Sequence, residues 1–308
     1  MKRVFIDGSA GTTGLRIRER LAGRNDISLL ALPEDRRKDE KARREAINSA
    51  DIVFLCLPDD AAREALAMVE NPAVIIIDAS SAHRTAPEFA YGFPELSAEF
   101  EERIRHATRI SVPGCHASGF IALVHPLVRC GLLPSAARLT CHSVTGYSGG
   151  GKKMIAEYEA ADPSPLLLAP RQYGLTQEHK HLREMKAVTG LETAPVFCPI
   201  VSNFYSGMVV TVPLFREEIA GNAADIRKIY QQLYTGPIVR YREAPDEGGF
   251  LSAAALSGRD GMEISVLGND ERILLAARYD NLGKGASGAA VECLNLVMGA
   301  DKTTGLLL

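Results

Sequence analysis

Short apolar runs alternate with amphipathic segments over the first 113 residues. The amphipathic segments, with apolar residues at helical spacing, are 12–23, 40–48, 60–69 and 94–107. The apolar runs are VFIDG (4–8), ISLLAL (27–32), DIVFLCL (51–57), VIIIDA (74–79) and RISVP (109–113). Because such β-α alternation suits a sheet with helices on both faces, it predicts a doubly wound parallel α/β sheet.

Longer strand-like segments replace this pattern from about residue 138. They are RLTCHSVTG (138–146), PVFCPIV (195–201), GMVVTVPLF (207–215), IVRYR (238–242), MEISVLG (262–268) and RILLAARYD (272–280). Few helical segments interrupt them, so the pattern predicts an α+β domain with a mostly antiparallel sheet. The stretch 161–174, rich in proline and leucine, has the composition of a linker or loop.

The change of pattern predicts two domains. The first covers 1–114 and is completed by the C-terminal segment 282–308, whereas the second covers 115–281. Apolar residues at helical spacing predict a final helix over 285–299, long enough to pack back on the first domain.

Composition and charge narrow the range of partners. The chain is 46% hydrophobic and 24% charged, with a formal net charge of −3. It therefore lacks the excess of positive charge that is typical of proteins that bind nucleic acid. No apolar run approaches the roughly 18 residues of a spanning helix, and the N-terminus lacks the apolar stretch of a signal peptide. We expect a cytoplasmic protein with small-molecule partners, no nucleic acid and no membrane.

The cysteines indicate neither a disulfide framework nor a metal site. All six stand singly, with no CxxC pair, at Cys56, Cys115, Cys130, Cys141, Cys198 and Cys293. This arrangement is typical of reduced thiols, and we expect no bound metal.

A glycine-rich turn follows the first predicted strand. The sequence GSAGTTG places Gly8, Gly11 and Gly14 at GxxGxxG spacing, where a strand ends and a helix begins. Glycine lets a pyrophosphate approach the backbone, and the helix N-terminus offers unpaired N–H donors to the anion. In the first turn of a β-α series, the motif predicts a Rossmann-like dinucleotide site.

The residues after the second predicted strand bear on the choice of cofactor. An acidic residue there usually accepts a hydrogen bond from the ribose 2′-OH of NAD, and Glu34 or Asp35 could do so. Arg36, Arg37 and Lys38 follow and could pair with the 2′-phosphate of NADP. We expect NADP (NADPH), with NAD as the alternative.

Cys115 stands where a predicted strand, ending in Pro113 and Gly114, gives way to a predicted helix. A thiol at a helix start feels the positive end of the helix dipole, which favours the thiolate and attack on an acyl carbon. The alternative is a buried cysteine that acts as a small apolar residue.

The segment EHKHLREM offers a base for such a thiol. In a helix, His179 and His181 would point about 200° apart, and Glu184 would lie on the side of His181 and orient it. In an extended segment both imidazoles would share one face. We expect His181 to be the acid/base, keep His179 as the alternative, and interpret His116 and His142 as structural.

Motifs along the whole chain resemble those of one family. The chain contains GSAGTTG, DASSAHR (78–84), PGCHASG (113–119), SVTGYSGGGK (143–152), HKHLREM and NLGKGASGAAVECLN (281–295). Together they are similar to the shorter N-acetyl-γ-glutamyl-phosphate reductases of the semialdehyde dehydrogenase superfamily. The resemblance implies NADPH-dependent reduction of N-acetyl-γ-glutamyl phosphate to the γ-semialdehyde through a cysteine thioester, in arginine biosynthesis. It also implies a homodimer or homotetramer built through the sheet of the second domain.

The resemblance carries roles to particular residues. It implies Cys115 as the nucleophile, the His179–His181 segment as the acid/base element, and Arg84 and Ser118 as substrate-binding residues. The cofactor-binding residues that it implies are Gly8, Gly11, Gly14, Ser80, Asn281, Gly283 and Lys284. We also expect Thr12 and Thr13 of the glycine-rich turn, and Arg36 and Arg37 of the charged run, to bind the cofactor. We expect the backbone N–H of Cys115 or His116 to bind the oxyanion.

Two other functions stay open at this point. One is another acyl-phosphate semialdehyde dehydrogenase, of the aspartate or aminoadipate branch, although the cysteine of the aspartate enzyme typically follows Asn rather than Pro-Gly. The other is a non-catalytic NADP-binding sensor, in which Cys115 belongs to the core.

Arg183 stands where many relatives have proline, which could alter the helix geometry around Glu184.

Overall fold

The computed structural model describes all 308 residues, which form thirteen strands and nine α-helices. The strands are β1 (Lys2–Asp7), β2 (Ile27–Leu30), β3 (Ile52–Leu55), β4 (Ile75–Asp78), β5 (Ala90–Tyr91), β6 (Arg109–Ser111), β7 (Thr140–Gly146), β8 (Arg171–Gln172), β9 (Val196–Ser202), β10 (Met208–Phe215), β11 (Val239–Tyr241), β12 (Met262–Gly268) and β13 (Arg272–Tyr279). The helices are α1 (Thr12–Leu21), α2 (Glu40–Ser49), α3 (Asp59–Ala67), α4 (Ala98–Arg105), α5 (Cys115–Arg129), α6 (Gly151–Tyr158), α7 (Lys180–Thr189), α8 (Ala223–Leu233) and α9 (Gly288–Met298).

The chain divides into two compact units. Unit 1 comprises Met1–Pro94, Ala98–Pro113 and Ala286–Leu306. Unit 2 comprises Glu95–Ser97, Gly114–Gly285 and Leu307–Leu308.

Unit 1 contains a six-stranded sheet in the order β2-β1-β3-β4-β6-β5, in which every pairing is parallel. On one face α1, α4 and α9 bring Ile17, Ile104 and Leu294 into one apolar core. On the other, α2 and α3 contribute Ile47 and Ala62 to a second core. Helices on both faces confirm the predicted doubly wound sheet.

Unit 2 contains a seven-stranded sheet in the order β11-β12-β13-β10-β7-β9-β8. Four of its pairings are antiparallel, and β11–β12 and β7–β9 are parallel, so the predicted mostly antiparallel sheet is confirmed. The helix α5 packs against β10, β13, α7 and α8 and is buried over most of its length, as its apolar sequence favours. None of the helices combines the length and apolarity needed to cross a bilayer.

The stretch 161–174 forms a loop, one of its two predicted forms, and both of its ends lie within unit 2. A short 3₁₀ helix places Leu167 in an apolar cluster with Tyr158 and Val201. The strand β8 also lies in this stretch. Like β5, it is only two residues long, which is too short for a hydrophobic period to predict.

The predicted final helix begins later than expected. Residues Gly283–Ser287 form a π-helical turn, and α9 starts only at Gly288. Single π-helical turns at the start of an α-helix often accompany functional sites.

Candidate active site

Cys115 is the first residue of α5, with Gly114 as the N-cap, so the predicted helix start is confirmed. Because Gly114 has no side chain, no side chain at the N-cap accepts from the first-turn N–H groups. The Cys115 side chain is partly exposed. The Cys141 thiol, by contrast, is buried, and burial raises its pKa, which keeps it protonated.

Glu184 binds the residue that precedes Cys115. Its buried carboxylate accepts a hydrogen bond from the Gly114 N–H at 2.8 Å. The sequence predicts an orienting role toward His181, and the contact with Gly114 lies beyond any periodicity because 70 residues separate the pair. Arg183 is exposed within α7 and does not interrupt that helix. Glu184 therefore ties α7 to the start of α5.

His179 and His181 lie side by side, with ring centroids 4.7 Å apart. Of the two arrangements that the sequence left open, the fully helical one does not occur, because α7 begins only at Lys180 and His179 is its extended N-cap. The His181 N–H donates to His179 Nδ1 at 3.2 Å. In the neutral His179 ring the proton is therefore on Nε2. Both histidines belong to one cluster, and either can serve as the acid/base.

His116 joins this cluster, 5.5 Å from the His181 ring and 6.0 Å from the His179 ring. Its Nδ1 lies 2.6 Å from the Ser143 hydroxyl, and its Nε2 lies 2.6 Å from the Tyr173 hydroxyl. Burial, and then the charge of His179, lower the pKa of His116 to about 3. Burial also raises the pKa of Tyr173, which keeps its proton. We infer that Tyr173 donates to Nε2 and that Nδ1–H donates to Ser143.

Gln177 anchors the loop that precedes the two histidines. It is the one non-glycine residue with a positive φ, at 59°. Its side-chain amide accepts from the Phe197 N–H and donates to the Phe197 carbonyl, both at 2.8 Å. The Phe197 ring in turn lies 5.2 Å from the His179 ring. A sparsely populated backbone conformation persists where its surroundings hold it, and here β9 does so.

Unit 1 contains a cavity of about 830 Å³ beside the glycine-rich turn, within the size range of cofactor sites. Its charged lining residues are Asp7, Arg18, Glu34, Asp35, Arg37, Lys38 and Arg43. Arg36 is absent from this lining, and its guanidinium lies 3.7 Å from Asp39. Contact of Arg36 with the cofactor stays a prediction, and Arg18, Arg37 and Lys38 are the cations that line the cavity. Arg18 escapes prediction because it lies on α1, outside the charged run after β2.

The three glycines of the turn serve different purposes. Gly8 has φ of 86°, and a Cβ there would lie 2.2 Å from the Cys56 carbonyl oxygen. A Cβ at Gly14 would lie 2.5 Å from the Gly8 oxygen. At Gly11, however, a Cβ would meet nothing closer than 3.4 Å. The fold therefore requires glycine at 8 and 14, whereas Gly11 leaves space for a ligand against the uncapped start of α1.

The predicted site residues after β4 make contacts within unit 1. The Arg84 guanidinium donates to the carbonyls of Val112, at 2.9 Å, and Ala79, at 3.3 Å. The Ser80 hydroxyl donates to Asp78 at 2.8 Å. These bonds fix the segment, and contact with substrate or cofactor stays a prediction.

Asn281 and Gly283 hold a turn of unit 2 together. The Asn281 amide accepts from the Gly207 N–H at 2.9 Å and donates to the Ser148 hydroxyl at 3.0 Å. A Cβ at Gly283 would lie 2.0 Å from the Arg259 carbonyl oxygen. Both residues are thus accounted for by local packing, and their predicted contact with the cofactor stays a prediction.

Lys284 and Ser118 are also engaged within unit 2. The buried Lys284 ammonium pairs with Glu95 at 2.7 Å, and the Ser118 hydroxyl donates to the Gly114 carbonyl at 3.0 Å. Each side chain is almost or completely enclosed, at 1% and 0% exposure. Burial directs both side chains to internal partners, and their contact with cofactor or substrate stays a prediction.

Two family models match the chain. Residues 3–104 match the model described as semialdehyde dehydrogenase, NAD binding domain, so the bound cofactor is a nicotinamide dinucleotide. Residues 115–281 match the model described as semialdehyde dehydrogenase, dimerisation domain.

Relatives match over nearly the whole chain. The chain is 46% identical to N-acetyl-gamma-glutamyl-phosphate reductase 2 of Pseudomonas putida, with 98% of each chain covered. It is 47% identical to N-acetyl-gamma-glutamyl-phosphate reductase of Rhizobium meliloti, over 97% of this chain and 99% of that one. Aspartate semialdehyde dehydrogenase II of Vibrio cholerae has a similar structure, with a TM-score of 0.75 over 97% of this chain and 98% of that one. At 16% identity, this last likeness concerns the fold alone.

Proposed function

The chain belongs to the semialdehyde dehydrogenase family and, within it, to the N-acetyl-γ-glutamyl-phosphate reductases, and on this premise we propose its reaction. The protein reduces N-acetyl-γ-glutamyl phosphate to N-acetylglutamate γ-semialdehyde and phosphate, a cytoplasmic step of arginine biosynthesis. The observation that carries the proposal is Cys115, a partly exposed thiol at the first residue of α5.

The proposed reaction begins with attack of the Cys115 thiolate on the acyl carbon. A C–S bond forms, and phosphate leaves with the electron pair of the C–O bond, so that a thioester remains. The N-terminus of α5 favours the thiolate, and the backbone N–H of Cys115 or His116 stabilises the oxyanion. The protein must also keep water from the thioester, which would otherwise be hydrolysed.

Reduction then releases the aldehyde. When bound, NADPH supplies the hydride that turns the thioester into a thiohemiacetal. Collapse of the thiohemiacetal breaks the C–S bond, frees the aldehyde and returns the thiolate. The reaction takes up one proton, which ends on the phosphate, and His181 or His179 holds it before transfer.

We propose NADP as the cofactor. The pyrophosphate fits the space at Gly11 and the N-terminus of α1. Arg18, Arg37 and Lys38 line the cavity beside the glycine-rich turn and supply positive charge for the 2′-phosphate. Glu34 and Asp35 also line it, and they are the residues that an NAD enzyme would use.

We propose a homodimer formed through the sheet of unit 2. Support comes from the description of the matching model for 115–281 as a dimerisation domain. Val196 and Phe215, on the sheet face that also presents His142, are 56% and 60% exposed. Sedimentation velocity measures the oligomeric state directly, and a purely monomeric protein would contradict the proposal.

The experiment that tests the function is phosphate-dependent oxidation of N-acetylglutamate γ-semialdehyde, the assayable reverse direction. Initial rates are measured with NADP and with NAD for the wild type, Cys115→Ser and the matched control Cys130→Ser. Cys130 is an exposed thiol at the other end of α5. We expect activity with NADP, little with NAD, a loss of at least about a thousandfold in Cys115→Ser, and wild-type rates in Cys130→Ser.

Other outcomes would redirect the proposal. Activity that survives in Cys115→Ser would exclude the thioester. Activity with aspartate semialdehyde instead would favour the aspartate branch. Tight NADP binding without turnover of either aldehyde would support the sensor.

A further inference from the structure

Three fully buried tyrosines donate their hydroxyls to backbone carbonyls of α5. The pairs are Tyr230 with Leu123, Tyr234 with Ala122, and Tyr279 with Cys115. Two of these bonds therefore hold the middle of the helix. The third holds the residue that we propose as the nucleophile.

The Tyr279 hydroxyl makes a second contact in the same turn. It accepts a hydrogen bond from the Gly119 N–H at 2.9 Å while it donates to the Cys115 carbonyl. These two backbone groups have the four-residue spacing of an α-helical hydrogen bond, and they directly follow the Ser118–Gly114 bond that closes the first turn of α5. Burial, and then the charge of Cys115, raise the pKa of Tyr279, so its hydroxyl keeps the proton that it donates.

Glycines on both sides make room for this arrangement. A Cβ at Gly119 would lie 2.7 Å from the Tyr279 hydroxyl and 2.7 Å from the Val210 side chain. A Cβ at Gly285, in the π-helical turn that follows β13, would lie 3.1 Å from Cys115 Cβ. The end of β13 and the turn after it thus contact the Cys115 backbone and side chain together.

We propose that Tyr279 is a positioning residue for Cys115, a role that rests on Cys115 being the nucleophile. A carbonyl held by an external donor resists rotation of the Cys115 backbone, and the direction of the Cα–Cβ bond depends on that rotation. Tyr279 therefore keeps the thiol at the helix N-terminus, where the dipole favours the thiolate.

The test compares Tyr279→Phe with Tyr230→Phe and Tyr234→Phe, which remove the other two hydroxyl bonds to α5. Thermal unfolding, kcat and KM are measured together with the rate of Cys115 alkylation by iodoacetamide across pH, resolved by peptide mass spectrometry. All three variants lose a buried bond and should lose similar stability. Only Tyr279→Phe should slow alkylation at neutral pH and lower kcat, each about tenfold, with KM within about twofold.

Two results would overturn the proposal. One is wild-type alkylation and kcat in Tyr279→Phe. The other is an equal loss in Tyr230→Phe or Tyr234→Phe, which would show only a general loosening of α5. Alkylation needs no substrate, so it tests the positioning role even if the wild type fails to oxidise the semialdehyde.

Discussion

His116 shows how burial sets the protonation of a single residue next to Cys115. Its pKa falls to about 3 from the ordinary value of 6.5 because the surroundings disfavour the charged ring. The imidazole therefore stays neutral through the working pH range and links Ser143 to Tyr173. Its hydrogen bonds hold the cluster together around His179 and His181, the residues that we propose as the acid/base.

This depressed pKa predicts a pH dependence of stability. Below about pH 6.5 the unfolded chain binds a proton at His116 that the folded chain excludes, so the free energy of unfolding falls as the pH falls. Between pH 7 and pH 5 the loss should be about 2 kcal/mol. Urea unfolding of the wild type and of His116→Gln at both pH values measures this loss. The free energy of unfolding of the variant should depend less on pH, by the amount assigned to His116.

The exposed His106 provides the control for this prediction. His106→Gln should keep the part of the pH dependence that is assigned to His116, because the substitution leaves His116 and its buried surroundings unchanged. A full wild-type slope in His116→Gln would mean that His116 is not held neutral by the fold.

The first βα turn shows, at the scale of an element, which features serve the fold and which serve the ligand. Gly8 and Gly14 are required by close backbone contacts, whereas Gly11 has an extended φ of −74° and room for a Cβ. The same motif therefore contains two glycines that the fold requires and one, Gly11, at which we expect the ligand to bind.

Substitutions at Gly11 and Gly8 should distinguish these two kinds of glycine. Gly11→Ala should unfold within about 0.5 kcal/mol of the wild type but bind NADP at least about tenfold more weakly, because the methyl group occupies the space for the pyrophosphate. Gly8→Ala should destabilise unit 1 by several kcal/mol, since it places a Cβ on the Cys56 carbonyl at a positive φ. Thermal unfolding measures the stability of both variants, and a fluorescence titration with NADPH measures the affinity of Gly11→Ala for the cofactor. Unchanged affinity in Gly11→Ala would contradict the assignment.

At the scale of the whole molecule, unit 1 is assembled from both ends of the chain. The helix α9 packs Leu294 into the same core as Val4 of β1 and Ile17 of α1. Residues near the C-terminus are therefore needed for a sheet that begins at the N-terminus.

Truncation of one α9 side chain tests whether this helix stabilises the core of unit 1. Leu294→Ala should lower the free energy of unfolding by about 2 to 5 kcal/mol, because it leaves a cavity in the core of unit 1. Leu15→Ala, on an α1 side chain that is 41% exposed, should cost no more than about 0.5 kcal/mol. Urea unfolding measures both, and equal effects would show that α9 does not stabilise this core.

Features that depend on neighbouring residues follow from the sequence alone. Hydrophobic periods predicted the doubly wound sheet and the mostly antiparallel one, and the Pro-Gly-Cys step predicted the start of α5 at Cys115. Short elements such as β5 and β8 were not predicted, and the choice between helix and extended chain at His179 stayed open, because one or two residues carry no period.

The distant residues that meet the start of α5 are known only from the tertiary structure. Glu184 binds Gly114 across 70 positions, and Tyr279 binds the Cys115 carbonyl across 164. Strand order and register bring these pairs together, and a hydrophobic period leaves both undetermined. The same reason explains why the burial of Lys284 against Glu95 was not predicted. Local patterns specify the elements, and packing between elements specifies the partners of each side chain.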